Sequence, residues 1–252
     1  MQRWKITVEY DGRYFFGWQK QPHHISVQSA IEQALFALSG EQINITVAGR
    51  TDTGVHGCGQ VAHFDLQKDM TPERLRLGIN ALARPHPVVV LKTEKVSSDF
   101  HARFDAVNRT YRYRIINRRT PLTFDKGLAW QVPHILDVDA MEKASQCLLG
   151  KHDFSSFRAV GCQSKHAIRS IEHFIFETRG DEIWITIKAR SFLYHQVRNM
   201  VGTLVKIGTG EWPWQDMQKI LEAKDRTIAG MTAPADGLYF MAVDYPDQDP
   251  II

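Results

Sequence analysis

The segment "AGRTDTGVHGCGQVAHFD", residues 48–65, constrains the fold more than any other stretch of the chain. Gly49, Gly54, Gly57 and Gly59 let the backbone take positive φ and approach a neighbour closely. It therefore reads as a glycine-rich bend between two strands, Ile45–Gly49 and Gln60–Leu66. Asp52 is the one acid of the bend, with Arg50 two residues before it. On extended backbone, residues i and i+2 share a face, so the two side chains can point the same way. A nearby cation favours the charged form of a carboxylate, which suits a nucleophile or base rather than a proton donor. A surface turn carrying an ion pair is the plain alternative. Asp52-Thr53-Gly54 also spells the aspartic-protease triplet. That chemistry needs two carboxylates sharing a proton, and here the triplet occurs once, beside a guanidinium that opposes such sharing.

Around this bend the periodicity alternates between strand and helix. Trp4, Ile6, Val8 and Tyr10 alternate with Lys5, Thr7 and Glu9, as in a half-buried strand. An aromatic loop, "RYFFGWQKQP", leads to Ser26 as a helix cap. Val27, Ala30, Ile31, Ala34, Leu35 and Leu38 then fall on one helical face, and Gly40 ends it. Thr71-Pro72 opens a second helix, and "PHPVVVLKTEKV" is the next strand. The second half mixes elements in the same way. "TYRYRII" is a strand, residues 139–149 a helix closed by Gly150, and "HFIFET" with "EIWITIKAR" a hairpin. A helix over Val197–Ile207, another after Trp214, and the strand "GLYFMAVDY" complete the chain. The pattern predicts an α+β fold: two α/β halves, residues 1–105 and 106–252, sharing one continuous, mostly antiparallel sheet with helices packed on it. "ITVAGR" (45–50) and "ITIKAR" (185–190) give a faint sign of internal duplication.

Composition removes several classes. No apolar run approaches the roughly 20 residues of a membrane span, and the first residues lack the apolar stretch of a signal peptide. Cys58, Cys147 and Cys162 are isolated and have no Cys-x-x-Cys spacing, which predicts a reduced, cytoplasmic protein. His56, Cys58 and His63 match no closed zinc set. Neither a Walker A loop nor a strand-linked G-x-G-x-x-G occurs. A net charge of +3 allows an anionic partner without requiring one.

Two further features bear on function. "NRTYRYRIINRRT" (108–120) holds Arg109, Arg112, Arg114, Arg118 and Arg119 around Tyr111 and Tyr113. Aromatic rings stack on bases and guanidinium groups bind phosphates, so the segment points to nucleic acid; the alternative is a strand with solvated arginines. Arg198 falls in or just before the first turn of its helix, where the helix dipole disfavours a cation. A negative partner is expected there, and Asp52 is the candidate.

Taken in order, "YDGRYFFGWQKQ", the residue 48–65 segment, "FHARFDAVNRTYRYRI", "HDFSSFRAVGCQS", "VRNMVGTLVKIG" and "DGLYF" resemble the TruA family of tRNA pseudouridine synthases, over residues 4–245. Thr53 replaces the alanine expected of that family, and "KHAIRS" (165–170) departs from its usual sequence. The resemblance implies isomerisation of uridine to pseudouridine at positions 38, 39 or 40, in the anticodon stem-loop of tRNA, by a homodimer without cofactor or metal. It implies Asp52 as the catalytic carboxylate, Tyr111 against the target base and Arg198 as the ion-pair partner of Asp52. Arg50 would orient the flipped-out RNA, and Leu238 would line the uracil pocket. A non-catalytic RNA-binding protein of the same fold is the other reading.

Overall fold

The computed structural model of the chain describes residues 1–246. Packing divides it into two units: Met1–Arg109 together with the residues from Tyr239 onward, and Thr110–Leu238.

The first unit is built on strands β1 (Gln2–Tyr10), β2 (Thr46–Val47), β3 (His56–Leu66) and β4 (Val88–Val96), with helices α1 (Val27–Ser39) and α2 (Pro72–Leu82). β1 is central and pairs antiparallel with both β3 and β4, Trp4 lying opposite Phe64 on one side and Lys95 on the other. Trp4, Ile6, Val8 and Tyr10 are buried together with Ala30, Ile31 and Leu35 of α1 and Leu75 and Ile79 of α2. Alternation along the strand thus meets a 3.6-residue stripe on each helix, the arrangement the sequence predicts. Ser26 and Ser29 form the capping box of α1, and Gly40 ends it in the left-handed region. Thr71 caps α2, with Pro72 at its first position.

The other face of β1 differs from expectation. Lys5 is buried, with its ammonium 4.8 Å from the Tyr245 ring and 3.8 Å from Glu94. Phe100 and Tyr245 pack over Lys5 on that face; Tyr245 donates to the Ala102 carbonyl, and Arg109 donates to the carbonyls of Ala48, Arg103 and Ala106.

The glycine-rich bend is shorter than the sequence suggests. β3 begins at His56 rather than Gln60, so Gly57 and Gly59 are strand residues. A side chain at Gly57 would collide with the Tyr10 ring, and one at Gly59 with the Met241 carbonyl. The glycines there serve interstrand approach. β2, expected over Ile45–Gly49, is only two residues long, because its partner edge on β3 is shared. β2 takes Ala62 and His63, and the terminal strand takes His56 and Gly57 in parallel.

The second unit contains β5 (Asn108–Ile116, most of its length), β6 (Trp130–Gln131), α3 (Val138–Ser145), β7 (Gly150–Asp153), β8 (Ile168–Arg179), β9 (Glu182–Ala189), α4 (Gln196–Gly208) and α5 (Asp216–Ala223). The terminal strand of the first unit is β10 (Leu238–Asp244). Strands of the second unit run in the order β5–β9–β8–β7, with β6 parallel to β5. β8 and β9 form the expected hairpin through Gly180. Met200, Val201, Leu204 and Ile207 of α4 are buried, as are Met141 of α3 and Met217, Ile220 and Leu221 of α5. The helix expected to run to residue 149 stops at Ser145 and tightens into a 3-10 turn, and Gly150 opens β7 instead of closing a helix. The class is α+β with mixed, mostly antiparallel strands. No helix among the described residues is long and apolar enough to cross a membrane.

Candidate active site

Asp52 lies in the connection from β2 to β3, half-buried, at the head of a turn closed by the Val55 amide on the Asp52 carbonyl at 3.1 Å. Gly54 has φ +82° in that turn, a conformation that suits glycine. The turn is held from three sides. Tyr10 Oη and Thr51 Oγ1 are 2.8 Å apart and buried. The Trp18 amide donates to the Thr51 carbonyl at 3.0 Å. Gly17, at φ +76°, packs so tightly that a Cβ would stand 2.7 Å from that same carbonyl and 3.2 Å from the Asp52 carbonyl carbon. The "FFGW" loop is therefore the wall behind Asp52. Nothing in the local sequence connects that loop to the aspartate.

Arg50 is exposed and forms no ion pair among the described residues. The expected Arg50–Asp52 pair is therefore absent; β2 ends at Val47, so neither residue lies on ladder backbone.

His56 is buried at the start of β3, its ring stacked on Tyr239 with centroids 4.6 Å apart. Its Nδ1 lies 3.1 Å from the Gly12 amide and 3.3 Å from an Asp11 oxygen. The amide can only donate, so Nδ1 accepts, and the contact with Asp11 is not a salt bridge. Arg13 holds Asp11 instead, with Nε 3.0 Å from both carboxylate oxygens. Burial raises the Asp11 pKa, but the Arg13 hydrogen bonds and charge outweigh it and the net shift is downward. His56 fixes the turn after β1. Among the described residues no three His, Cys, Asp or Glu side chains group as metal ligands.

In the second unit Tyr111 is half-buried on β5, edge-on to Phe192 at 5.1 Å. Most of the neighbouring arginines have partners within the protein. Arg112 donates to Thr186 and lies 4.2 Å over the Trp184 ring. Arg114 bridges Glu182 and Asp125 at 2.5 and 3.0 Å. Arg118 pairs with Asp181 at 3.0 Å, and Arg109 is buried on backbone carbonyls. Arg119 is exposed beyond the end of the strand. What looks like a basic ladder in sequence is largely fold-forming.

Arg198 is the third residue of α4, within its first turn as expected. Its Nε donates to the Ala233 carbonyl at 2.7 Å, and the Ala233 amide returns a bond to the Arg198 carbonyl at 3.1 Å. Residues 230–233 are pressed onto the helix at Gly202, where any Cβ would collide with the Met231 carbonyl. Tyr113 carries the same segment toward β5, donating to the Pro234 carbonyl at 2.7 Å with Gly237 packed on its ring. Burial pushes the Tyr113 phenol well up, against the lowering effect of the Arg198 charge. Leu238, 5% exposed, follows at the start of β10. Tyr111, Arg198 and Leu238 are thus linked through Tyr113 and residues 233–238, a connection with no signal in local sequence.

The first unit thus carries a half-buried carboxylate on a braced glycine turn, and the second an arginine in the first turn of α4 and an aromatic residue on β5. Comparisons with known proteins give the family. Residues 6–105 and 144–246 match the family model described as tRNA pseudouridine synthase. A protein of Rhizorhabdus wittichii named tRNA pseudouridine synthase A is 51% identical over 98% of this chain and 98% of its own. Proteins of the same name from Beijerinckia indica (52% identical, 98% of this chain and 95% of its own) and Maricaulis maris (49%, 98% and 99%) are similar over nearly their whole lengths. The chain belongs to the tRNA pseudouridine synthase family, a family of isomerases.

Proposed function

We propose that the protein converts uridine to pseudouridine at positions 38, 39 or 40 in the anticodon stem-loop of tRNA, with Asp52 as the catalytic carboxylate. The observation that carries this reading is the bracing of the Asp52 turn by Tyr10, Gly17 and Trp18 in a chain of this family. A surface turn has no need of three separate anchors.

The chemistry suits one carboxylate. A stacked uridine must be flipped out before its C1′ is reachable. The C1′–N1 bond then breaks, the uracil turns, C1′ bonds to C5, the C5 proton leaves and N1 gains a proton. No water is consumed and no redox change occurs. A glycoside hydrolase uses a second carboxyl group to protonate a departing group; here the base stays and is reused. Asp52 either attacks C1′ or removes the 2′ proton. Tyr111 lies against the target base and is the candidate for taking the C5 proton. Arg198 supplies the positive charge that balances Asp52, Arg50 orients the flipped strand and Leu238 lines the uracil pocket. The reading includes a cytoplasmic homodimer that needs no cofactor.

The test is tritium release from tRNA carrying [5-³H]uridine, in excess EDTA, by wild type and Asp52→Asn protein. Release by wild type alone supports the reading. Binding without release by either protein would return the chain to the class of RNA-binding proteins without catalysis. Mapping the product by reverse-transcription stops then decides the positions.

A further inference from the structure

Residues 12–31 contain no Asp or Glu and hold Arg13, Lys20, His23, His24 and four aromatic residues, Tyr14, Phe15, Phe16 and Trp18.

 These four divide by burial. Phe15 and Trp18 are buried behind the Asp52 turn, whereas Tyr14 is 59% and Phe16 45% exposed. Phe16 stacks on the exposed His24 with ring centroids 4.0 Å apart and planes 22° from parallel. Each ring covers one face of the other, so the exposure of Phe16 falls on its outer face and edges.

The stack is held from the backbone. The Phe16 amide donates to the Ile25 carbonyl at 3.0 Å, the Gln21 side chain donates to the Phe16 carbonyl at 3.2 Å, and Gln21 and His24 form an antiparallel bridge. The next residue is Gly17, which packs on the Asp52 carbonyl carbon. An apolar ring is thus presented to solvent on a fixed backbone, one residue from the contact with the Asp52 turn. Lys20 in the same loop is held by Glu32 at 3.5 Å, which ties the loop to α1.

We propose that the Phe16–His24 stack is a platform for a nucleotide base flanking the reacting uridine. The proposal rests on the pseudouridine synthase reading and adds to it a second contact with the RNA. Stacking fits because every base offers a π-face and an aromatic platform needs no sequence-specific hydrogen bond. A nucleotide next to a flipped one loses a stacking neighbour, and a ring fixed beside the site replaces it.

The experiment uses the full chain and an anticodon stem-loop RNA with 2-aminopurine next to the target uridine, on either side in separate preparations. Stacking on Phe16 quenches the fluorophore beyond the quenching inside the free RNA. With wild type, one of the two RNAs is quenched on binding; Phe16→Ala abolishes that change and Phe16→Trp retains it. In tritium release, Phe16→Ala raises KM about 5-fold or more, as expected for loss of one base–aromatic stack, and the loss falls on KM more than on kcat. His24→Ala, which frees the second face of Phe16, gives a smaller change in the same direction. Unchanged quenching and KM in Phe16→Ala, with an active wild type, would overturn the platform and leave the enzyme reading standing. A wild type that binds tRNA without releasing tritium would overturn that reading, and the platform with it.

Discussion

Tyr10 Oη and Thr51 Oγ1 are 2.8 Å apart in a buried contact, so one hydrogen bond joins the last residue of β1 to the residue before Asp52. β1 is the central strand of the first unit, and its opposite neighbours are β3 and β4. The position of the carboxylate is therefore tied to the central strand of that unit.

Tyr10→Phe tests this tie. Burial pushes the Tyr10 phenol up to about 12, despite its hydrogen bonds to Thr51 and Gln60, so the group stays protonated at working pH. Removing the hydroxyl should cost about 1 kcal/mol in urea unfolding. Tritium release, measured where both proteins remain folded, should fall as well. A normal rate at reduced stability would show that the Asp52 turn does not depend on this bond.

Gly17→Ala and Gly40→Ala form a matched pair. Both glycines have positive φ, +76° and +79°, but nothing lies within 4 Å of a Cβ at Gly40. Gly40→Ala should cost only the left-handed penalty of about 1 kcal/mol. Gly17→Ala meets the Thr51 carbonyl as well, and should lose clearly more stability together with most activity. Equal unfolding midpoints for the two variants would contradict the close packing behind Asp52.

Gly202→Ala reverses a common rule. In an exposed helix interior that change gains up to about 1 kcal/mol. Here a Cβ would collide with the Met231 carbonyl, and the segment that follows holds Arg198 through Ala233. A loss of about 1–3 kcal/mol is expected, as for overpacking, with reduced catalysis. Thermal unfolding that matches or exceeds wild type would refute it.

His63 gives a pH dependence of stability. It is buried, accepts the Ala102 amide on Nδ1 at 3.1 Å, and faces His101, Arg3, Asp65 and Asp105. Burial, then the charges of His101 and Arg3, lowers its pKa to about 4, against a partial raising effect of Asp65 and Asp105. The unfolded chain binds this proton near pH 6.5 and the folded chain only near pH 4, so protonation favours unfolding across that window. Stability should fall as pH drops from about 6.5 toward 4, and the fall should be shallower in His63→Asn, whose amide oxygen can replace the Nδ1 acceptor. Melting temperatures recorded across the window decide this; parallel curves for the two proteins would exclude His63 as the source.

Much of the fold is legible from local sequence. The period of Trp4–Tyr10, the Ser26 cap with Gly40 beyond it, and the Thr71-Pro72 start each depend on residues within one element, and each lies where expected. The start of β3 was not legible, because Gly57 and Gly59 read locally as a bend and are strand residues only by virtue of Tyr10 and Met241. The same limit applies to the arginines of β5. Arg114 looks solvated until Asp125 and Glu182 are seen beside it.

The sequence by itself determined the alternation of strands and helices and the single acid in a glycine-rich turn, since periodicity, caps and turn residues act over a few positions. Tertiary structure alone decided that Thr51 is clasped by Tyr10 and Trp18, that Arg50 forms no ion pair among the described residues, and that Arg198 is fastened to Ala233. Those relationships join residues up to 41 positions apart. Backbone polar groups and guanidinium groups take whichever partners the packed core brings within about 3 Å, and no local pattern encodes that choice.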